Sequence, residues 1–182
     1  MGKMKGGQVR VRTAEFGNVA LGGNAAVLAD NALDAVNPTV VTVLAGQPDV
    51  PRGLTVKGSD ANVTGNVVIE GTNAGGAAIS ETIALNAANV VAGSKAFRTV
   101  TKVTLPKYAV ANTERVRIGL AAKLGLPVRL SRNTVIAAYL AGAREATAPT
   151  VTVSATVLET NTVTLASALN GTAVIVDFYE TN

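Results

Sequence analysis

The sequence predicts an all-β protein: an antiparallel β-sandwich, Ig-like or related, carrying an extended N-terminal arm. Short runs rich in Val, Ile and Thr recur after Gly53, each closed by Gly, Asn, Asp or Ala-Gly, which is the spacing of a sandwich or barrel. Aromatic residues make up 3% of a chain that is 48% hydrophobic. The core must therefore be built from Val, Ile, Leu and Ala, and the β-branched excess favours sheet. The 182 residues are enough to bury one such core and leave an arm.

Residues 1–8 are basic, glycine-bearing and too polar to pack by themselves, so they read as a flexible arm. The next stretch, "VRVRT" at 9–13, alternates Val with Arg, the pattern of a half-exposed strand able to add to a neighbour's sheet edge. "NAAVLADNALDAV" at 24–36 is alanine-rich and a candidate short helix, although its apolar positions keep no clean helical period. Asn37-Pro38 stops it, and "TVVTVLA" at 39–45 reads as a strand. The two prolines of "GQPDVPR" force an extended connection. They place a boundary near residue 50, between an arm with its connecting segment (1–50) and the sandwich body (51–182).

Within the body, "GLTVKG", "NVVIEGT", "ISETIAL" and "FRTVTKVTL" follow as strands in series. The second and third are joined by a Gly/Asn tract and form a predicted hairpin. In that strand Ile79, Glu81 and Ile83 share one face, and Ser80, Thr82 and Ala84 the other. The stretch 106–149 reads as an irregular insertion: "ERVRIGL" is a strand, Gly125 and Pro127 break "AAKLGLPVRL", and "NTVIAAYLAGA" fits a strand or one short helix. After Pro149 come "TVTVSATV", the turn "LETN", "TVTLAS", the turn "ALNGT" and the closing strand "AVIVDFY". Alternation turns Val151, Val153 and Ala155 inward and leaves Thr150, Thr152, Ser154 and Thr156 outside. Asn170-Gly171 is expected to supply the positive φ angles of a tight hairpin.

Composition narrows the chemistry. The chain has no Cys and no His, so disulfides, thiolate catalysis and the usual zinc, copper and haem ligand sets are out of reach. The Asp residues at 30, 34, 49, 60 and 177 are scattered and match no calcium loop. No cofactor or metal is expected, and no catalytic residue stands out. "GTNAGG" lacks the Lys-Ser/Thr of a phosphate-binding loop and leads into a strand, so it reads as a hairpin turn. The Asn62 and Asn170 sequons lie in turn contexts without the apolar stretch of a secretion signal. No apolar run has the roughly 18–20 residues of a membrane span, and cytoplasmic synthesis and assembly are expected.

Charge is unevenly spread. Lys95, Arg98, Lys102, Lys107, Arg115, Arg117, Lys123, Arg129 and Arg132 face Glu114 alone between 95 and 132, whereas Glu159, Asp177 and Glu180 meet no cation after 150. Opposite charge in two places suits head-to-tail contact between copies. A nucleic-acid groove would interleave aromatics for stacking, and here only Phe97 and Tyr108 are available, which speaks against that partner. Three Tyr, three Phe and no Trp likewise disfavour a host-glycan-binding module, which needs aromatic platforms.

The stretch "QPDVPRGLTVKG…GNVVIEGTNAGGAAISETIALN…GSKAFRTVTKVTLP", residues 47–106, resembles β-rich virion proteins of tailed bacteriophages. A looser echo runs through "KLGLPVRLSRNTVIAAYL" and "APTVTVSATVLETNTVTL". The resemblance implies a non-enzymatic virion protein, best suited to capsid decoration (a cement protein), with a tail-tube or tail-decoration role as the alternative. It further implies a homotrimer on the particle, the major capsid protein or another virion subunit as partner, and no membrane. In that setting Lys3, Lys5, Arg10 and Arg12 are expected to fasten the arm to an acidic neighbour, while Val9 and Val11 dock by strand addition.

Overall fold

The computed structural model describes residues 10–110 and 112–180. Its strands are β1 (Val11–Ala20), β2 (Leu28–Ala32), β3 (Thr39–Val41), β4 (Arg52–Gly58) and β5 (Asn66–Thr72). They continue as β6 (Ala78–Ala84), β7 (Val91–Phe97), β8 (Thr99–Leu105), β9 (Arg115–Gly125) and β10 (Val135–Leu140). The last are β11 (Ala143–Arg144), β12 (Thr150–Thr152), β13 (Thr162–Thr164) and β14 (Asn170–Tyr179), with one 3-10 turn at Leu158–Thr160. The protein is all-β, and among the described residues there is no α-helix.

Three antiparallel sheets result. The first runs β1-β14-β10-β11, the second β12-β13-β9-β4-β7 with β2 also on β9, and the third β3-β8-β5-β6. Two apolar cores lie between them in sandwich fashion. One joins the second and third sheets through Leu54, Val56, Val67, Ile69, Phe97, Val103, Leu105, Val116 and Ile118. The other joins the first sheet to the far end of the second through Val19, Leu124, Leu126, Val163, Val174, Val176 and Phe178. Strand β9 serves both cores, with Val116 and Ile118 in one and Leu124 in the other. Beside it β4 is buried along most of its length, because a central strand packed on both faces has no solvent side.

The predicted hairpin is present: β5 and β6 pair from Asn66↔Ala84 to Thr72↔Ala78. Asn73 makes the turn, its Oδ1 accepting the Gly75 and Ala77 N–H groups at 3.0 and 3.1 Å, and Gly76 takes a positive φ of 82°. A short polar side chain that bonds its own turn is the local physics the sequence advertised.

Other expectations need correcting. The stretch 24–36 is not helical; Leu28–Ala32 is a strand that pairs with β9, since its uneven apolar spacing offers no continuous helical face. "TVVTVLA" forms a strand only over Thr39–Val41. "FRTVTKVTL" is split at Arg98 between β7 and β8. The 106–149 stretch is no appendage, because it contains β9, the strand common to both cores. The turn near residue 50 does not separate structural units either. Residues 11–41 supply β1 to the first sheet, β2 to the second and β3 to the third. Finally, Asn170-Gly171 makes no hairpin between β13 and β14, which belong to different sheets. Gly171, at φ 85°, instead adjoins the register shift where Val19 and Ala20 meet Thr172 and Asn170. A positive-φ glycine serves a bulge as well as a turn. Val151 and Val153 do pack against the second core, whereas Ala155 is exposed.

Candidate functional site

Of the arm residues singled out from the sequence, Lys3, Lys5 and Val9 lie outside the described residues. Arg10 is exposed and precedes the first strand. Val11 and Arg12 belong to β1 and pair with Tyr179 and Phe178 of β14, so this part of "VRVRT" adds to the chain's own sheet. Val11 faces solvent rather than a core, at 62% exposure. Arg12 reaches Glu180 at 2.7 Å, and Thr13 Oγ1 donates to Asp177 at 2.7 Å. The acidic tail therefore meets positive charge inside one chain.

Much of the 95–132 positive charge is also engaged internally. Lys102 pairs with Glu70 at 2.7 Å, Lys123 Nζ donates to the Gly93 carbonyl at 2.8 Å, and Arg115 donates to the Asn112 carbonyl at 2.9 Å. Arg117 forms a two-point fork with Asp30. That hydrogen bond, with the guanidinium charge, holds the Asp30 carboxyl below its usual range. Asp34 is lowered too, because its carboxylate accepts the Asn37 and Val36 N–H groups.

Buried polar side chains act as internal fasteners. Arg52, fully buried, donates Nε and Nη2 to the Ala121 carbonyl at 2.9 and 2.7 Å and Nη1 to the Ala20 carbonyl at 3.1 Å, and it pairs with Asp49. Glu81, the inward acid of "ISETIALN", accepts the Ser94 N–H, the Ser94 hydroxyl and the Lys95 N–H. Its carboxylate thus couples the edge of β6 to β7, where a Cβ on Gly93 would meet Glu81 Oε2 at 2.5 Å. Glu114 accepts the Ala109 and Val110 N–H groups. Asn161 ties Leu130 and Ser154 to the 3-10 turn.

A groove of about 750 Å³ opens beside this framework, lined among others by Asn73, Pro127, Arg129, Leu158, Glu159 and Glu180. At its wall two side chains from different elements converge on the Glu159 carboxylate. Asn73 Nδ2 donates to Glu159 Oε2 at 3.2 Å, and Lys95 Nζ lies 3.7 Å from Glu159 Oε1. Asn73 comes from the β5–β6 turn, Lys95 from β7 and Glu159 from the 3-10 turn. Positions so far apart in the chain gave the sequence no pattern to read.

The most conspicuous surface lies at the open edge of the third sheet. β3 pairs with β8 on one side only, and from Ala35 to Pro48 the chain carries no charge. Val36, Val40 and Val43 in this segment are 73%, 59% and 87% exposed. Two other edges are treated differently. β1 has a bulge between Glu15 and Gly17 and carries Arg12 and Glu15, whereas β6 is held against β7 by Glu81. Charges and bulges protect sheet edges from pairing; β3 has neither.

Among the described residues no group of three or more metal-type side chains gathers, and no helix is long and apolar enough to cross a membrane. No protein family, curated protein or solved structure matches this chain.

Proposed function

We propose that the chain is a non-enzymatic structural protein of a tailed-bacteriophage particle, decorating and stabilising the capsid through subunit contacts. The observation that supports it is the uncharged β3 edge, where three exposed valines border unpaired backbone. Apolar surface beside an open strand gains free energy when another subunit covers it. The covering subunits are further copies, as the homotrimer implied by the resemblance requires, and the major capsid protein anchors the set. An open edge also suits a tail-tube or tail-decoration subunit, in which sheets continue from one copy to the next. Assembly on the virion in the host cytoplasm belongs to the same reading.

The N-terminal segment has a place in it. Lys3, Lys5, Val9 and Arg10 precede β1, the edge strand of the first sheet, and the two lysines with Arg10 supply the positive charge that draws an acidic neighbour. Removing residues 1–9 tests this without touching β1.

The edge is tested by replacing Val40 and Val43 with Lys, singly and together. The variants should keep the wild-type thermal transition, because both side chains already face solvent, and should lose self-association in sedimentation and loading onto particles. Variants that load and associate like the parent would overturn the reading.

A further inference from the structure

We propose that Lys95 and Asn73 form an intramolecular isopeptide bond, with Glu159 as the acid–base group that transfers the protons. Such a reaction needs an amine nucleophile, a carboxamide, a group to move protons between them, and donors to hold the oxyanion. All four kinds of group gather around Glu159 and Asn73. Lys95 Nζ and Asn73 Nδ2 sit against opposite oxygens of the Glu159 carboxylate, at 3.7 and 3.2 Å. The amide oxygen Oδ1 accepts the Gly75 and Ala77 N–H groups at 3.0 and 3.1 Å. These two backbone donors polarise Cγ towards attack and stabilise the negative charge that attack places on Oδ1.

The surroundings favour the step. Asn73 is 5% exposed and the Glu159 side chain 11%, so the carboxylate acts where water competes little for its hydrogen bonds. Lys95 is tethered by a second bond from Nζ to the Ser80 carbonyl at 2.8 Å, which limits the volume its amine explores. The adjoining groove, lined by Asn73 and Glu159, gives the leaving group a way out.

The chemistry balances without any oxidant or co-reactant. Glu159 takes a proton from the Lys95 ammonium, and the freed amine attacks Asn73 Cγ, forming the Nζ–Cγ bond. The tetrahedral oxyanion rests on the Gly75 and Ala77 N–H groups. Glu159 returns the proton to Nδ2, the Cγ–Nδ2 bond breaks, and the oxyanion collapses to a secondary amide. The second proton lost by Nζ follows to the departing nitrogen, so ammonium leaves and Glu159 ends as a carboxylate. The product joins the β5–β6 turn to β7 and locks the third sheet to the second. It is a single self-modification rather than turnover, and it stands independently of the assembly reading.

Intact-mass measurement of the purified full-length chain, repeated during prolonged incubation, tests the proposal. The expected result is loss of the mass of one ammonia per chain, with a branched peptide joining the Lys95 and Asn73 segments after proteolysis. Lys95→Arg and Asn73→Ala should retain full mass, and Glu159→Gln should slow the loss roughly 100-fold or more, as removal of an acid–base group does. Circular dichroism of the variants shows whether they fold, and the wild-type mass decides the matter even if they do not. A wild-type chain that keeps its full mass overturns the proposal. So does ammonia loss that persists in Lys95→Arg, which would mark succinimide formation at Asn73 instead.

Discussion

Replacing Asn161 with Ala should be among the most damaging single changes at a polar position. Its side chain is fully buried. Oδ1 accepts the Leu130 and Ser154 N–H groups, each at 2.9 Å, while Nδ2 donates to the Ser154, Val157 and Leu158 carbonyls at 3.0, 2.7 and 3.2 Å. Truncation strands two donors at a buried position, at about 1–3 kcal/mol each, and releases three carbonyls besides. An overall loss of about 4 kcal/mol follows, a large share of the roughly 5–15 kcal/mol that holds a domain together. Asn161→Asp separates donor loss from shape. It keeps the two accepting contacts but turns a carboxylate oxygen towards carbonyl oxygens, so burial and repulsion must raise its folded-state pKa above the unfolded one. The stability of that variant is therefore greatest below the unfolded pKa and falls as pH rises through the folded pKa. Urea unfolding followed across pH should show a deficit for Asn161→Asp that shrinks in acid, and a deficit for Asn161→Ala that does not. A loss below about 1 kcal/mol for the alanine variant, or a flat pH profile for the aspartate variant, would refute the reasoning.

Other substitutions test other parts of the structure. Gly71→Ala puts a Cβ 1.9 Å from the Thr99 carbonyl oxygen and 3.0 Å from Val100 Cα; β5 and β8 must part to admit it. A cost at or above the usual overpacking range of about 1–3 kcal/mol is expected in chemical unfolding. Arg12→Ala breaks an ion pair whose side chains are 53% and 38% exposed, and should lower stability by less than about 1 kcal/mol, less again at high salt. Asp30 is held below its usual range by Arg117, so its contribution exists above the unfolded Asp pKa and is lost as pH falls through the folded one. Asp30→Asn should accordingly be less stable than the parent at neutral pH and indistinguishable from it in strong acid.

How far the sequence could be read depended on the range of the interaction. The β5–β6 hairpin was legible because Asn73 and Gly76 build their turn from neighbours. Strand β9 was half seen. Its alternating Val116, Ile118, Leu120 and Leu124 continue in one period to Gly125, but the small Ala121 and Ala122 blurred the signal. Its role was invisible, because membership of two cores depends on strands far away in the chain, such as β4 and β14. Asn170-Gly171 shows the converse failure. The dipeptide correctly announced positive φ at Gly171, yet local chemistry does not say which strand lies alongside, and that partner was β1. The meeting of Asn73, Lys95 and Glu159 likewise required two turns and a strand to converge. Glu81 could be assigned to the face of Ile79 and Ile83 from alternation alone. That it would be buried, holding β7, could not.

The proposed role in a phage particle is tested most directly by counting copies of this chain, by quantitative mass spectrometry, in particles purified from cells that express its gene. The expected result is a fixed ratio to one major structural protein, the capsid protein for a decoration subunit, that survives extensive washing and falls when Val40 and Val43 are both replaced by Lys. Complete particles that carry no copies of the chain would contradict it.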